Sequence, residues 1–235
     1  MNKLIVVTGG TKGIGRAILE KFALAGFDLV TCARNEKDLE QLKTEFDKKY
    51  PSIQTHIFQV DVSKKQAVFD FAKAVKKLNQ PIEILVNNAG VFFPGEVHTE
   101  DEGHLEMMIE TNLYSAYHLT RALVPAMQAR KQGHIFNMCS TASIIPYVNG
   151  GSYCISKFAL LGMSKVLREE LKNDGIRVTS IMPGATLTAS WKGVDLPPER
   201  FMKSEDVADT VMAAYQLSDR AVMEEVLLRP QLGDL

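Results

Sequence analysis

The fold is decided by the stretch Thr8-Gly9-Gly10-Thr11-Lys12-Gly13-Ile14-Gly15 of this 235-residue chain. A short apolar run, Leu4–Thr8, precedes it and is typical of a buried strand, whereas Ile14–Ala25 has a helical pattern. The glycines permit a tight turn and a close approach of the backbone to a pyrophosphate, and the start of the helix attracts phosphate. We therefore expect a dinucleotide to contact Gly9, Thr11, Lys12, Gly13, Ile14 and Gly15.

Short apolar strands and longer helices alternate along the rest of the chain. The further predicted strands are Asp28–Ala33, Gln54–Gln59, Ile84–Asn87, His134–Met138, Arg177–Met182 and Glu225–Leu228. The further predicted helices are Glu36–Lys49, Lys64–Leu78, Glu100–Arg130 (with a kink or break at Pro125), Gly151–Asn173 and Ser204–Leu217. This order predicts an α/β fold, a Rossmann-type doubly wound, mainly seven-stranded parallel sheet with helices on both faces. We expect one dinucleotide-binding and catalytic domain over residues 1–235, with a substrate loop at about 183–203.

Composition narrows the functional class. The chain is 46% hydrophobic and 23% charged with a net charge of −1, and it has no basic block, so we expect no nucleic-acid partner. Its apolar runs are too short to span a bilayer and its N-terminus lacks a signal-peptide pattern, which predicts no membrane partner and a cytoplasmic location. The three cysteines, Cys32, Cys139 and Cys154, are odd in number and have no metal-like spacing, which favours a reducing, cytoplasmic setting. Cys139 and Cys154 are expected to pack as small apolar residues. The histidines show no metal spacing either, so no metal is expected.

The end of the second predicted strand indicates which dinucleotide binds. An acidic residue at this point would bind the ribose 2′-hydroxyl of NAD, but Ala33 and Arg34 stand here instead. A guanidinium suits a 2′-phosphate, and Lys12 adds a second cation nearby, so the sequence predicts NADP(H). Further cofactor contacts are expected at the ends of the third and fourth strands, from Asp61, Val62, Asn88, Ala89 and Gly90.

Tyr153 and Lys157 supply an acid/base pair. Four residues apart on a predicted helix, they share a face, so an ammonium lies one turn from a phenol and favours its ionised form. That chemistry serves proton exchange with a carbonyl or an alcohol. Ser140, at the end of the fifth predicted strand, can complete this acid/base site.

Together these motifs resemble the short-chain dehydrogenase/reductase family. The glycine loop, the segment Asn87-Asn88-Ala89-Gly90, Ser140 and Tyr153-Cys-Ile-Ser-Lys157 occur in the family's order. The resemblance implies that Asn112, Ser140, Tyr153 and Lys157 are catalytic. It also implies that Tyr153 and Lys157 contact the cofactor, as do Pro183, Gly184, Thr186 and Thr188. In that scheme Tyr153 protonates the substrate oxygen, Ser140 hydrogen-bonds it, Lys157 supports Tyr153 and holds the ribose, and Asn112 holds a relay water.

The substrate is less defined. The C-terminal segment lacks the glycine-rich tail of bacterial 3-oxoacyl-carrier-protein reductases and looks more like the branch of NADP-dependent 3-hydroxy acid dehydrogenases and small carbonyl reductases. A carrier-protein reductase remains the alternative, followed by a non-catalytic nucleotide-sensing protein. The pocket is expected to be mostly apolar and to take a small-molecule carbonyl or alcohol; its predicted lining is Val91, Phe92, Phe93, Thr141, Ala142, Ile144, Ile145, Tyr147, Val148 and Trp191. Lys192 could meet a carboxylate, and the resemblance also implies a homodimer or homotetramer.

Overall fold

A computed structural model describes residues 2–188 and 195–234 of the chain. Seven strands form one sheet: β1 (Leu4–Thr8), β2 (Asp28–Ala33), β3 (Thr55–Gln59), β4 (Ile82–Asn87), β5 (Gly133–Met138), β6 (Ile176–Pro183) and β7 (Glu225–Leu228). Their order is β3-β2-β1-β4-β5-β6-β7, and every neighbouring pair is parallel. The direction of winding reverses between β1 and β4. The predicted doubly wound sheet is confirmed.

Helices connect these strands. They are α1 (Gly13–Leu24), α2 (Glu36–Lys49), α3 (Lys65–Lys77), α4 (His104–Met108), α5 (Ser115–Arg130), α6 (Gly151–Leu171) and α7 (Ser204–Gln216). Most predicted strand and helix ends lie within one or two residues of the observed ones, which is the usual uncertainty at frayed ends. None of the helices in the described residues is long and apolar enough to cross a membrane.

The predicted helix Glu100–Arg130 is wrong in two respects. The first regular turn begins only at His104, after Gly103 adopts a left-handed φ of 88° that interrupts any helix arriving from Glu100. A π-helical segment, Ile109–Tyr114, then separates α4 from α5. No break occurs at Pro125, because α5 continues through it; the irregularity lies upstream, where a wider turn carries Asn112.

Both faces of the sheet are covered, which explains why the strands are continuously apolar. Ile5 and Val7 of β1 pack into a core with α1, α2 and α7, whereas Leu4 and Val6 pack into a second core with α3 and α5. Successive strand side chains point to opposite faces, so each face needs its own apolar set. Burial of each such side chain contributes roughly 1.5–3 kcal/mol.

A row of polar side chains crosses the centre of the sheet, and we call it the polar seam. Asn87 of β4 lies opposite Asn137 of β5, which lies opposite Ser180 of β6. Asn87 donates to Asn137 (2.8 Å) and to Thr120 (3.0 Å), Asn137 donates to Ser164 (3.0 Å), and the Ser180 and Ser164 hydroxyls are 2.7 Å apart. The seam joins three strands to α5 and α6 immediately below the ends of β4 and β5.

Candidate active site

A cavity of about 1230 Å³ opens beyond the carboxyl ends of β1 and β4, where the winding reverses. In a doubly wound sheet this crevice is the general position for a ligand. Every residue that the sequence assigned to the cofactor lies on its wall, from Gly9 in the glycine loop to Thr188 after β6.

The glycine loop is held against the end of β4 by the neighbouring segment. Asn88 donates through Nδ2 to the carbonyls of Thr8 (2.9 Å) and Gly9 (3.2 Å), and the Thr8 hydroxyl accepts from the N–H groups of Asn88 and Ala89. Gly15 fits closely under this brace, since a Cβ there would lie 2.5 Å from both Asn88 Nδ2 and the Gly9 carbonyl oxygen. The loop is therefore fixed before any ligand binds.

The N-terminus of α1 lines the cavity through Gly13, Ile14 and Gly15. Among the residues that the structure describes, no side chain caps this helix, and its first turn contains no acidic residue. Uncapped N–H groups at a helix start, together with the helix dipole, form a site for an anionic group. The residues present thus fit the phosphates of a dinucleotide.

Arg34 and Lys12 lie on the same wall, but their surroundings differ. Arg34 is exposed at the end of β2 and forms no ion pair within residues 2–188 and 195–234. Lys12 is already engaged, with its Nζ 2.6 Å from a carboxylate oxygen of Asp38. Sequence reasoning missed Asp38, because nothing in the pattern of α2 indicates that its first turn reaches the glycine loop.

Lys157 lies almost completely buried beneath the cavity and is 5% exposed. Its ammonium donates to the carbonyl oxygen of Met138 (2.7 Å) and lies 5.7 Å from the centre of the Tyr153 ring. The two side chains therefore share a helix face, as the spacing predicts. The Met138 carbonyl is a backbone acceptor, so no side-chain motif could have indicated it.

Tyr153 and Ser140 both lie on the cavity wall. The Tyr153 ring is partly buried and packs edge-on against Phe92, with the ring centres 5.0 Å apart. Ser140 caps a short 3₁₀ turn at Thr141–Ser143; its hydroxyl accepts from the N–H of Ala142 (3.1 Å). A hydroxyl that accepts one such bond keeps its proton for a ligand oxygen.

Asn112 lies behind the wall rather than on it. It is 1% exposed, its Oδ1 accepts from the N–H of Val91 (2.8 Å), and its Nδ2 donates to the Val91 carbonyl (3.0 Å) and the Ser156 hydroxyl (3.0 Å). Ser156 in turn donates to the Tyr153 carbonyl (2.8 Å). Asn112 therefore links the loop after β4 to the helix turn of Tyr153, while its role with a relay water stays a prediction.

The substrate end is partly as expected. The predicted residues that line the cavity are Val91, Phe92, Phe93, Thr141, Ile145 and Tyr147. Ala142 is instead fully buried, Ile144 and Val148 are exposed outside the cavity, and Trp191 and Lys192 lie outside the described residues. Wall residues that the sequence did not indicate include Glu106, Met107, Glu110 and Asp234. Burial raises the pKa of the Tyr147 hydroxyl, and the neighbouring Tyr153 adds to this effect.

Cys139 and Cys154 are buried, as predicted. All three cysteines are buried and unpaired. Burial raises the pKa of Cys32 to about 12 and that of Cys139 to about 11, so both remain neutral thiols. The described residues contain no cluster of His, Cys, Asp and Glu side chains arranged to hold a metal ion.

Comparisons with known proteins agree with this fold. A family model described as short chain dehydrogenase matches residues 3–197. The chain is 33% identical to a sepiapterin reductase of Chlorobaculum tepidum over 243 residues, covering 100% of this chain and 99% of that protein. It is 34% identical to an NADP-dependent 3-hydroxy acid dehydrogenase of Escherichia coli over 220 residues, covering 88% and 87%. An alcohol dehydrogenase from the archaeon Thermococcus sibiricus, complexed with 5-hydroxy-NADP, superposes with a TM-score of 0.92 at 26% identity, covering 100% and 99%.

Proposed function

The chain belongs to the short-chain dehydrogenase family, and we propose that it transfers a hydride between NADP(H) and a carbonyl or secondary alcohol, with Tyr153 as the general acid and base. The observation that carries this proposal is the buried Lys157 ammonium, fixed by the Met138 carbonyl one helix turn from Tyr153 in the cavity. Burial of an ammonium is costly, so a cation held at this point indicates a function for its charge.

NADP(H) is the cofactor. The uncapped start of α1 and the glycine loop would hold its phosphates, and Arg34 its 2′-phosphate; the segment from Pro183 to Thr188 would hold the nicotinamide end. Two relatives support this choice, one named NADP-dependent and one solved with 5-hydroxy-NADP. When bound, the nicotinamide supplies or accepts the hydride.

The proton transfer is carried out by Tyr153 with the support of Lys157 and Ser140. During reduction Tyr153 donates its hydroxyl proton to the substrate oxygen, and during oxidation it accepts that proton back. The Lys157 ammonium attracts the phenolate that remains after donation. The Ser140 hydroxyl donates a hydrogen bond to the same oxygen and stabilises the charge that develops there. Asn112 fixes the loop and the helix turn that bring these groups together.

The walls favour an organic carbonyl of small or medium size with apolar substituents. Phe92, Ile145 and Tyr147 present apolar surface beside Tyr153, and the protonated Tyr147 hydroxyl can donate to a second oxygen on the substrate. Diketones, aldehydes and 3-oxo acids fit this description. A 3-oxoacyl group carried as a thioester is the alternative substrate.

We also propose that residues 1–235 work as one domain with a substrate loop at 183–203, in the cytoplasm, as a homodimer or homotetramer. Support for self-association comes from apolar side chains that remain exposed on α5 and α6, namely Tyr117, Ile155, Phe158 and Val166. Light scattering coupled to gel filtration measures the oligomer directly, and a monomer at micromolar concentration would contradict this part of the proposal.

The central test follows NADPH absorbance with diketones, aldehydes, 3-oxo acids and 3-oxoacyl thioesters. Tyr153→Phe should lower kcat by at least about a hundredfold, because it removes the proton donor, and should leave NADPH affinity nearly unchanged. Lys157→Met should abolish turnover at neutral pH. Tyr114→Phe is the matched control, since Tyr114 is 50% exposed and outside the cavity.

The outcomes separate the alternatives. Turnover that survives in Tyr153→Phe would remove the tyrosine from the mechanism. A clear preference for thioesters would select the carrier-linked substrate. Tight NADPH binding without turnover of any carbonyl would favour the nucleotide-sensing protein over an enzyme.

A further inference from the structure

The loop that follows β4 folds back onto the start of α6. Gly95 pairs with Gly150 in an isolated parallel bridge, and its N–H donates to the Asn149 carbonyl (3.1 Å). The backbones approach so closely that a Cβ on Gly151 would lie 2.4 Å from the Gly95 carbonyl oxygen. The contact is therefore made by backbone against backbone, with glycines where a side chain would not fit.

Glu100, at the far end of this loop, provides the cap that α6 lacks. The N-cap residue of α6 is Gly150, which has no side chain, and the first turn contains no acidic residue. The Glu100 carboxylate accepts from the N–H of Ser152 (3.3 Å) and, through its other oxygen, from the Ser152 hydroxyl. Ser152 is completely buried, and Glu100 is the hydrogen-bond partner of both its N–H and its hydroxyl. A carboxylate at this position satisfies a free N–H and complements the helix dipole.

The other end of this loop contacts Tyr153. Tyr153 follows Ser152 in the first turn of α6, and Phe92 at the start of the loop packs edge-on against its ring. The loop thus holds the tyrosine twice, once through the ring and once through the backbone of the adjoining residue. Neither contact involves the cofactor wall around the glycine loop.

We propose that Glu100 is a positioning residue for Tyr153: its carboxylate fixes the first turn of α6 against the loop after β4 and so places the tyrosine hydroxyl for proton transfer. This inference rests on the proposed function, because it assumes that Tyr153 is the acid and base. A tilt of the first turn would displace a hydroxyl at the end of a long side chain. A misplacement of about 1 Å can cost up to a hundredfold in rate.

Four variants test the proposal: Glu100→Gln, Ser152→Ala, the double variant, and Asp101→Asn as the matched control. Asp101 is the adjacent exposed carboxylate, so its variant removes the same charge from the same loop. Glu100→Gln should lower kcat by about tenfold and change KM and the NADPH dissociation constant by no more than about twofold. Ser152→Ala should show a smaller loss, because it keeps the N–H bond. The double variant should be no slower than Glu100→Gln alone, since both changes disrupt one interaction.

Amide hydrogen exchange in the first turn of α6 provides a readout that needs no activity. Glu100→Gln should exchange faster there than the wild type, and Asp101→Asn should not. An unchanged kcat in Glu100→Gln, additive losses in the double variant, or an equal loss in Asp101→Asn would overturn the inference. If Glu100→Gln does not fold, an unchanged kcat in Ser152→Ala overturns it.

The failure of the proposed function would look different. A wild type that binds NADPH but reduces no carbonyl contradicts the assignment of Tyr153, whatever the Glu100 variants do. In that case the exchange measurement alone decides the capping contact, and unchanged protection in Glu100→Gln overturns it.

Discussion

Replacement of Gly15 by alanine should disrupt the brace between the glycine loop and the end of β4. The new methyl group would lie 2.5 Å from both Asn88 Nδ2 and the Gly9 carbonyl, whereas ordinary contacts begin at 3.4 Å. Asn88 must therefore retreat by about 0.9 Å, which stretches its hydrogen bonds to Thr8 and Gly9 beyond useful length.

Two weakened hydrogen bonds and the overpacking together should cost about 2–3 kcal/mol of unfolding free energy. For a chain of this size, that corresponds to a fall of roughly 4–12 °C in the thermal midpoint. The affinity for NADPH should also fall by more than about tenfold, because the backbone that contacts the phosphates moves with the brace.

The assay combines thermal unfolding with fluorescence titration of NADPH, and Gly162→Ala is the control. Gly162 lies inside α6, and a Cβ there meets no atom within 4 Å. This control should leave the affinity for NADPH unchanged, because Gly162 does not line the cavity. Within one protomer alanine should also raise the unfolding free energy by about 0.5–1 kcal/mol, since it is the better helix former. Equal midpoints for wild type and Gly15→Ala, with NADPH affinity intact, would refute the reasoning about the brace.

Three further changes test charge and burial. Arg34→Ala should weaken NADPH binding by about 10- to 100-fold and leave NADH unaffected, because it removes charge-assisted bonds to the 2′-phosphate; equal losses for both cofactors would contradict this. Asp38→Asn should tighten NADPH by about threefold to fivefold, since it releases Lys12 and removes a like charge, and weaker binding would refute it. Burial lowers the pKa of His134 to about 2, so the unfolded chain takes up a proton first as the pH falls below about 6.5. Urea titrations should therefore show a loss of unfolding free energy by about pH 5 that is smaller in His134→Gln by on the order of 2 kcal/mol and undiminished in the exposed control His98→Gln. Burial also lowers the pKa of His56 and of His118, so part of the loss remains in His134→Gln, and an undiminished loss there would contradict this prediction.

Much of the fold follows from the sequence because local and global signals agree. The run from Leu4 to Val7 is apolar at every position, and each of its residues is buried on one face or the other of the sheet. The spacing of Tyr153 and Lys157 survives unchanged because both stand in one regular helix. These features are determined by residues that are close together in the sequence, so a local sequence pattern is enough to predict them.

The features that were missed depend on contacts between distant segments or on backbone atoms. The ion pair of Lys12 with Asp38 exists only after α2 packs beside the glycine loop. The acceptor for Lys157 is the Met138 carbonyl, which every residue type supplies equally. The sequence predicts regular helix through the π-helical segment around Asn112, because the widening of one turn barely alters the apolar pattern.

The polar seam fixes the alignment of β4 and β5, whose carboxyl ends border the cavity. Side chains alternate along a strand, so a slip of one residue between β4 and β5 would turn Asn137 to the opposite face and leave Asn87 without its amide partner. Apolar side chains can pack in several nearly equivalent alignments of two strands, whereas the amides of Asn87 and Asn137 can hydrogen-bond to each other in only one alignment. The alignment also sets the spacing between the ends of β4 and β5, from which the cavity-lining segments of Gly90 and Ser140 continue. Two buried amides thus help to fix the width of the cavity at this point.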